Sequence, residues 1–262
     1  MNQHINNSAQ IAAQVLAGRR VLVTGAARGL GFDLARLALQ AGASVVLADI
    51  LQAELEQAKN RLEAEGFTAH TLVFDQSSPE SIRMCADQAS RLFGGLDGLV
   101  NNAAITNSGG KTMEELQIDM FDRVMTVNVR GCWLMTQACL PALRASGHGA
   151  VVNLASDTAL WGAPNLMAYV ASKGAVIAMT HSMAREMGAD NITVNAVAPG
   201  LTLVEATEYV PQHRHELYEN QRAIQRAQVP EDVSGVIVFL LSGLSRFVTG
   251  QVLAVNGGFV MH

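Results

Sequence analysis

The strongest constraint on the fold of this chain is an alternation that runs along nearly all of it. Short β-branched apolar runs are each followed by a longer stretch with helical spacing. "RRVLVTG" (19–25) reads as a buried strand and "GLGFDLARLALQAG" (29–42) as a helix. "ASVVLADI" (43–50) is the next strand, followed by the charged helix "LQAELEQAKNRLEAEG" and the strand "TAHTLVFD" (68–75). Proline opens "PESIRMCADQASRLFG" at the position where its missing N–H costs least, and "LDGLVNNAA" (96–104) is a fourth strand. A long helix is expected from about Asp119 to Ser146, then "GHGAVVNLAS" (147–156), a helix entered through "YVASK", "NITVNAVAPG" (191–200), a helix from about Pro230, and "GQVLAVNGG" (250–258).

Strands that are apolar along their whole length are buried on both faces, and helical crossovers between them make them parallel. The pattern therefore predicts an α/β fold: one doubly wound sheet of about seven strands with helices on both faces, spanning 19–262, after a short N-terminal extension, 1–18. With 49% hydrophobic and 16% charged residues, the chain has apolar material for a sizeable core. A net charge of −5 argues against an electrostatic grip on nucleic acid or an anionic membrane. The N-terminus lacks the pattern of a signal peptide, and no apolar run approaches the roughly 18 residues of a membrane span, so a soluble cytoplasmic protein is expected. Cys85, Cys132 and Cys139 form no CxxC pair, and the seven histidines suggest no metal site.

In such sheets ligands bind beyond the carboxyl ends of the strands. After the first strand stands "TGAARGLG", with Gly25, Gly29 and Gly31. Glycines there let the backbone turn and let a pyrophosphate approach a helix N-terminus, although a purely structural turn would use them too. Asp49 follows the second strand, 18 residues past Gly31. A carboxylate there can accept from both hydroxyls of an adenosine ribose and repels a 2′-phosphate, which favours NAD over NADP. Arg28 in the glycine loop is the counter-signal, outweighed by Asp49 because Arg28 can lie along the loop or pair with it; a helix cap is the bland alternative for Asp49. Asp75 can serve adenine or a cap equally well.

"NNAA" (101–104), "VNVRG" (127–131) around Asn128, "LAS" ending in Ser156, and Tyr169-x-x-x-Lys173 complete the set. Together these residues resemble the short-chain dehydrogenase/reductase family, with its Rossmann-type fold, from about Arg20 to Gly258. Asn128 to Ser156 (28 residues), Ser156 to Tyr169 (13) and Tyr169 to Lys173 (4) match the family's spacing. The resemblance implies Asn128, Ser156, Tyr169 and Lys173 as catalytic residues. It implies a cofactor site of Gly25, Arg28, Gly29, Leu30, Gly31, Asp49, Ile50, Asp75, Gln76, Asn102, Ala103, Ala104, Tyr169, Lys173, Pro199, Gly200 and Thr202. Thr202 is expected to replace in part a family threonine whose position is Val204 here. Tyr169 would exchange the proton, Ser156 bond the reacting oxygen, Lys173 hold the nicotinamide ribose, and Asn128 support Lys173 through a water.

Residues four apart share a helix face, so Lys173 is expected to approach the Tyr169 phenol and, with an oxidised nicotinamide, lower its pKa; a drop of about 3 needs about 4 kcal/mol. The expectation is NAD-dependent oxidation of a secondary alcohol to a ketone, with no metal. An NADPH-dependent ketoreductase, for example of 3-oxoacyl thioesters, is the alternative, and a silent nucleotide-binding scaffold a remoter one. Residues 201–226 are expected to form the substrate lid, with Trp161 on another wall. The resemblance also implies a homotetramer, with helices Asp119–Ser146 and Tyr169–Met187 at one interface and "GGFVMH" near another.

Overall fold

A computed structural model describes residues 14–261. In chain order the elements are β1 (Arg20–Thr24), α1 (Gly29–Gln40), β2 (Ser44–Asp49), α2 (Gln52–Ala64), β3 (His70–Val73), α3 (Pro79–Phe93), β4 (Gly98–Asn101), α4 (Ile118–Met125), α5 (Cys132–Ser146), β5 (Ala150–Leu154), the single turn α6 (Thr158–Trp161), α7 (Met167–Met187), β6 (Thr193–Pro199), α8 (Gln212–Gln221), α9 (Glu231–Leu241) and β7 (Val252–Val255). The seven strands form one sheet in the order β3-β2-β1-β4-β5-β6-β7, and every pairing is parallel. The order reverses between β1 and β4, and a crevice opens there above the strand ends.

Successive side chains of a strand point to opposite faces, so each strand feeds two cores. Val21, Val23, Val45 and Leu47 pack with Phe32 and Leu34 of α1 and with Val233 and Ile237 of α9. Leu22, Val46, Leu99 and Val151 pack on the other face with Ile82 of α3, Met135 and Leu143 of α5, and Met187 of α7. Burial of such a side chain contributes roughly 1.5–3 kcal/mol, so a register slip that reversed these faces would be heavily penalised. Local signals bound the helices: Ser78 Oγ accepts from Ser81 N ahead of Pro79, and Gly94 and Gly147 end α3 and α5 with positive φ.

The helix expected over 119–146 is interrupted. Thr126–Gly131 forms a π-helical segment between α4 and α5, a local widening that re-aims side chains. Small residues of α7 lie on an open face. Ala171 and Ala178 are exposed, and nothing lies within 4 Å of a Cβ placed on Gly174, so this face packs on no other part of the described chain. Of the N-terminal extension, residues 1–13 lie outside the described residues, while Leu16 is fully buried and bonds through its N–H to Ala41 O. Among the described residues no helix is long and apolar enough to cross a membrane.

Candidate active site

A cleft of about 730 Å³ runs along the strand ends, from Asp49 and Asp75 at one extreme to Trp161's neighbours Thr158 and Tyr218 at the other. Its floor is built by close backbone approach. Gly25 has φ +65°, and a Cβ there would lie 2.7 Å from Ala103 Cα. A Cβ on Gly31 would collide with the Gly25 carbonyl oxygen and lie 2.5 Å from Asn102 Nδ2. Asn102 Nδ2 donates to the carbonyls of Thr24 (3.0 Å) and Gly25 (2.8 Å), and Thr24 Oγ1 accepts from the backbone of Asn102 and Ala103. These bonds stitch the β1 turn to the β4 turn. Helix α1 starts here with no side-chain cap and no acidic residue in its first turn. Its N–H groups at Gly29, Leu30 and Gly31 face the cleft uncapped, as an anion such as a pyrophosphate requires, with the Glu205 carboxylate 3.3 Å from where a Cβ on Gly29 would stand.

The nucleotide end carries Asp49, Ile50, Asp75 and Gln76. Asp49 is half-buried and already accepts from Ala27 N (3.1 Å) and Leu51 N (3.2 Å), so it holds the glycine loop as well as lining the cleft. Arg28 is exposed and forms no ion pair among the described residues; the contact with Asp49 that would occupy it is absent. Asp75 accepts from Ser77 N and Ser77 Oγ, both at 2.7 Å, which is the turn-capping use of that residue. Gln76 is buried with both side-chain polar atoms unpartnered, close under Gly131, whose Cβ would meet Gln76 Cγ at 2.5 Å. A buried orphan amide fits a hydrogen-bonding ligand in the cleft. Ala104, Pro199, Gly200 and Thr202 line it as well, and Thr202 Oγ1 donates to Gly200 O at 3.2 Å.

At the other end the turn after β5 brings Ser156 to the cleft, and α7 brings Tyr169 and Lys173. Ser156 Oγ accepts from Thr158 N (3.3 Å) and Thr158 Oγ1 (2.9 Å), so it caps the next turn and keeps its own proton for another acceptor. Lys173 is buried and donates to Leu154 O at 2.6 Å, and burial pulls it down to about 8. The expected lowering of Tyr169 by this lysine is not what the chain produces by itself. Burial pushes the phenol above its ordinary value, the Ser156 hydroxyl alone draws it down, and Tyr209 and Asp157 push it further up. The Lys173 Nζ lies 5.5 Å from the centroid of the Tyr169 ring and is bonded to a carbonyl. Four-residue spacing puts the ammonium by the ring, while desolvation of the phenolate is the largest influence on the phenol.

Asn128 sits on the π-helical segment. It accepts from Ile105 N (2.8 Å) and donates to Ile105 O and Ser172 Oγ, both at 3.1 Å. Ser172 Oγ in turn donates to Tyr169 O at 2.7 Å. Asn128 thus clamps the loop after β4 to α7, one residue from Lys173, through direct bonds. Sequence reasoning passed over Ser172 because a serine inside an apolar helix carries no signal unless its partner is known.

Asp157 was also missed, although its place beside Ser156 at a strand end marks it. It is fully buried and accepts from Tyr218 Oη at 2.9 Å. Burial raises it to about 7 against the pull of Tyr218, Asn256, Arg222 and the Thr158 N–H. Tyr218 lies on α8, in a stretch read as a lid without helix, where His213 and His215 also sit. Its ring stacks on Phe259 of the C-terminal stretch at 4.2 Å. Thr106 and Tyr209 join the loop after β4 to the segment after β6, the Tyr209 hydroxyl donating to Thr106 O.

Comparison with known proteins gives a consistent picture. A family model described as enoyl-(acyl carrier protein) reductase matches residues 25–260. The chain is 34% identical over 246 residues to the 3-oxoacyl-(acyl-carrier-protein) reductase FabG of Thermotoga maritima, covering 94% of this chain and 99% of that one. It is 35% identical over 245 residues to a 3-alpha-(or 20-beta)-hydroxysteroid dehydrogenase of Mycobacterium bovis, covering 94% and 90%. Among solved structures, a short chain dehydrogenase from Burkholderia cenocepacia in complex with NADP superposes with a TM-score of 0.87 at 32% identity, covering 94% of this chain and 99% of that one.

Proposed function

Because this chain belongs to the short-chain dehydrogenase/reductase family, we propose that it is an NAD-dependent dehydrogenase that oxidises a secondary alcohol to a ketone, reversibly, with Tyr169 as general acid and base. The observation that carries this reading is the shared cleft: Ser156, Tyr169 and Lys173 stand at one end, and the uncapped start of α1 over Gly25 and Gly31 at the other. When bound, a nicotinamide cofactor supplies the carbon that takes or gives the hydride and, in its oxidised form, a positive charge.

The chain's own residues handle the oxygen and the proton. Ser156, with its lone pairs engaged by Thr158, donates to the substrate oxygen. Tyr169, protonated in the chain alone, is set to donate its proton to that oxygen in the reductive direction and, beside an added cation, to take it in the oxidative one. Lys173 keeps N–H groups free beyond its bond to Leu154 O, for the ribose. Asn128 holds the loop that carries Ala104 and Ile105. Residues 201–226 act as a lid over the substrate.

Asp49 supports NAD, since a carboxylate there repels a 2′-phosphate. A second reading, an NADPH-dependent ketoreductase, is favoured by Arg28, which is exposed and forms no ion pair among the described residues, and by the NADP held in the related structure. One experiment tests both. The purified protein is assayed with NAD and NADP on an alcohol panel and with NADH and NADPH on the matching ketones, beside Tyr169→Phe. Wild-type turnover should be faster with NAD, and Tyr169→Phe should lose roughly 100-fold or more in kcat while still binding nucleotide. Full activity of Tyr169→Phe would sink the mechanism, faster turnover with NADPH would select the second reading, and nucleotide binding with no turnover anywhere would leave a scaffold.

A further inference from the structure

Tyr218 lines the substrate end of the cleft, while Trp161, expected on one of its walls, and Phe259 pack against Tyr218 without lining the cleft. Trp161 meets Tyr218 edge-on at 6.4 Å and Phe259 at 5.6 Å, with Trp161 Nε1 donating to Tyr218 Oη. Arg214, one helical turn before Tyr218 on α8, lines the same cleft with its guanidinium 5.2 Å from the Trp161 ring centroid. It is half-buried, yet its side chain makes no hydrogen bond or ion pair among the described residues.

The contrast with its neighbours is sharp. Arg222, also 5.2 Å over an aromatic ring, spends its terminal nitrogens on Arg226 O and Leu201 O. Arg226 is bonded twice to Asp232. Stacking on Trp161 uses only the face of the Arg214 guanidinium, and its in-plane N–H fork stays free. A partly desolvated, always-charged fork facing a cleft matches a planar anion that can accept two parallel bonds. Asp157, which lines the same cleft, accepts from Tyr218 and makes no ion pair with Arg214.

We propose that the substrate is a hydroxy acid or its oxo counterpart: an apolar body against Leu166, Val210 and Tyr218, with a carboxylate held by Arg214 at the end remote from the reacting carbon. This rests on the reading of the cleft as an alcohol or ketone site. It follows that the body of the substrate bridges two fixed points, the hydroxyls of Ser156 and Tyr169 and the fork of Arg214.

The test uses the full chain with its cofactor and paired probes that differ by one carboxylate: 1-phenylethanol against the 3- and 4-(1-hydroxyethyl)benzoates, and acetophenone against the matching acetylbenzoates. Wild type should favour at least one carboxylate isomer by about tenfold or more in kcat/KM, mainly through KM, since charge-assisted bonds are stronger than neutral ones. In Arg214→Leu that ratio should fall to near one, and Arg214→Lys should restore part of it. Reading the ratio cancels any general damage from loss of stacking on Trp161. Calorimetric binding of the ketones to the cofactor complex, in wild type and Tyr169→Phe, gives the same ratio without turnover, so failure of the proton-transfer reading is seen separately. A ratio near one in wild type, or one that Arg214→Leu leaves intact, overturns the proposal and makes the arginine a stacking clamp for α8.

Discussion

At the scale of single residues, the positions that mattered most are those with no room. Gly31 is the clearest: its helix geometry is ordinary, but any Cβ would strike the Gly25 carbonyl oxygen and Asn102 Nδ2. Gly31→Ala should therefore abolish nucleotide binding by calorimetry while the far-UV circular dichroism keeps its α/β shape, because the clash is confined to the loop. Unchanged affinity would mean that the stitched turn is not the phosphate seat. The spacing of Gly25, Gly29, Gly31, Ser156, Tyr169 and Lys173 was legible in the sequence, since strand ends and helix turns convert it directly into position. Their protonation was not. The phenol of Tyr169 is set by the sum of burial, Ser156, Tyr209 and Asp157, and Tyr209 reaches it from a segment 40 residues further along.

At the scale of elements, the departures from periodicity carry the information. The pattern from Asp119 to Ser146 looks like one helix because its apolar spacing survives the π-helical segment Thr126–Gly131. That widening presents Asn128 to the backbone of Ile105 and to Ser172. Asn128→Ala leaves those groups unpaired, each orphan costing roughly 1–3 kcal/mol, so the melting temperature should fall by several degrees. Hydrogen exchange at the Ile105 amide should rise most, and full protection there would rule out the clamp. Helix α8 escaped the sequence for a different reason. "QHRHELYENQ" has no apolar stripe, and its one buried side chain, Tyr218, finds its partners in Asp157, Trp161 and Phe259, 41 to 61 residues away.

For the whole molecule, Asp157 joins three distant parts: the end of β5, α8 through Tyr218, and the C-terminal stretch through Asn256. Its folded value of about 7 stands above its ordinary 3.8. A raised carboxyl stabilises the fold fully below about 3.8, and that contribution is lost as pH rises through about 7. Tyr218 and Arg222 are the titratable groups that face it, with Tyr169 beyond, and none carries a negative charge in that range. Asp157→Asn keeps the acceptor for Tyr218 and places an amide near Gln228 Oε1, which is itself unpartnered. The variant should melt above wild type at pH 8.5 and lose that advantage at pH 5. A difference independent of pH would show that Asp157 holds no proton.

By itself the sequence determined the parallel sheet, the order of its elements and the set of strand ends where ligands gather. Those follow from short-range periodicity, because burial of both strand faces and right-handed crossovers leave few other arrangements. Only the tertiary structure decided that Arg28 stands apart from Asp49, that Asn128 grips Ile105, that Asp157 holds α8 and that Arg214 faces the cleft uncommitted. Each depends on which distant group arrives within about 3 Å of a polar atom, and hydrogen bonding and desolvation change steeply over that distance.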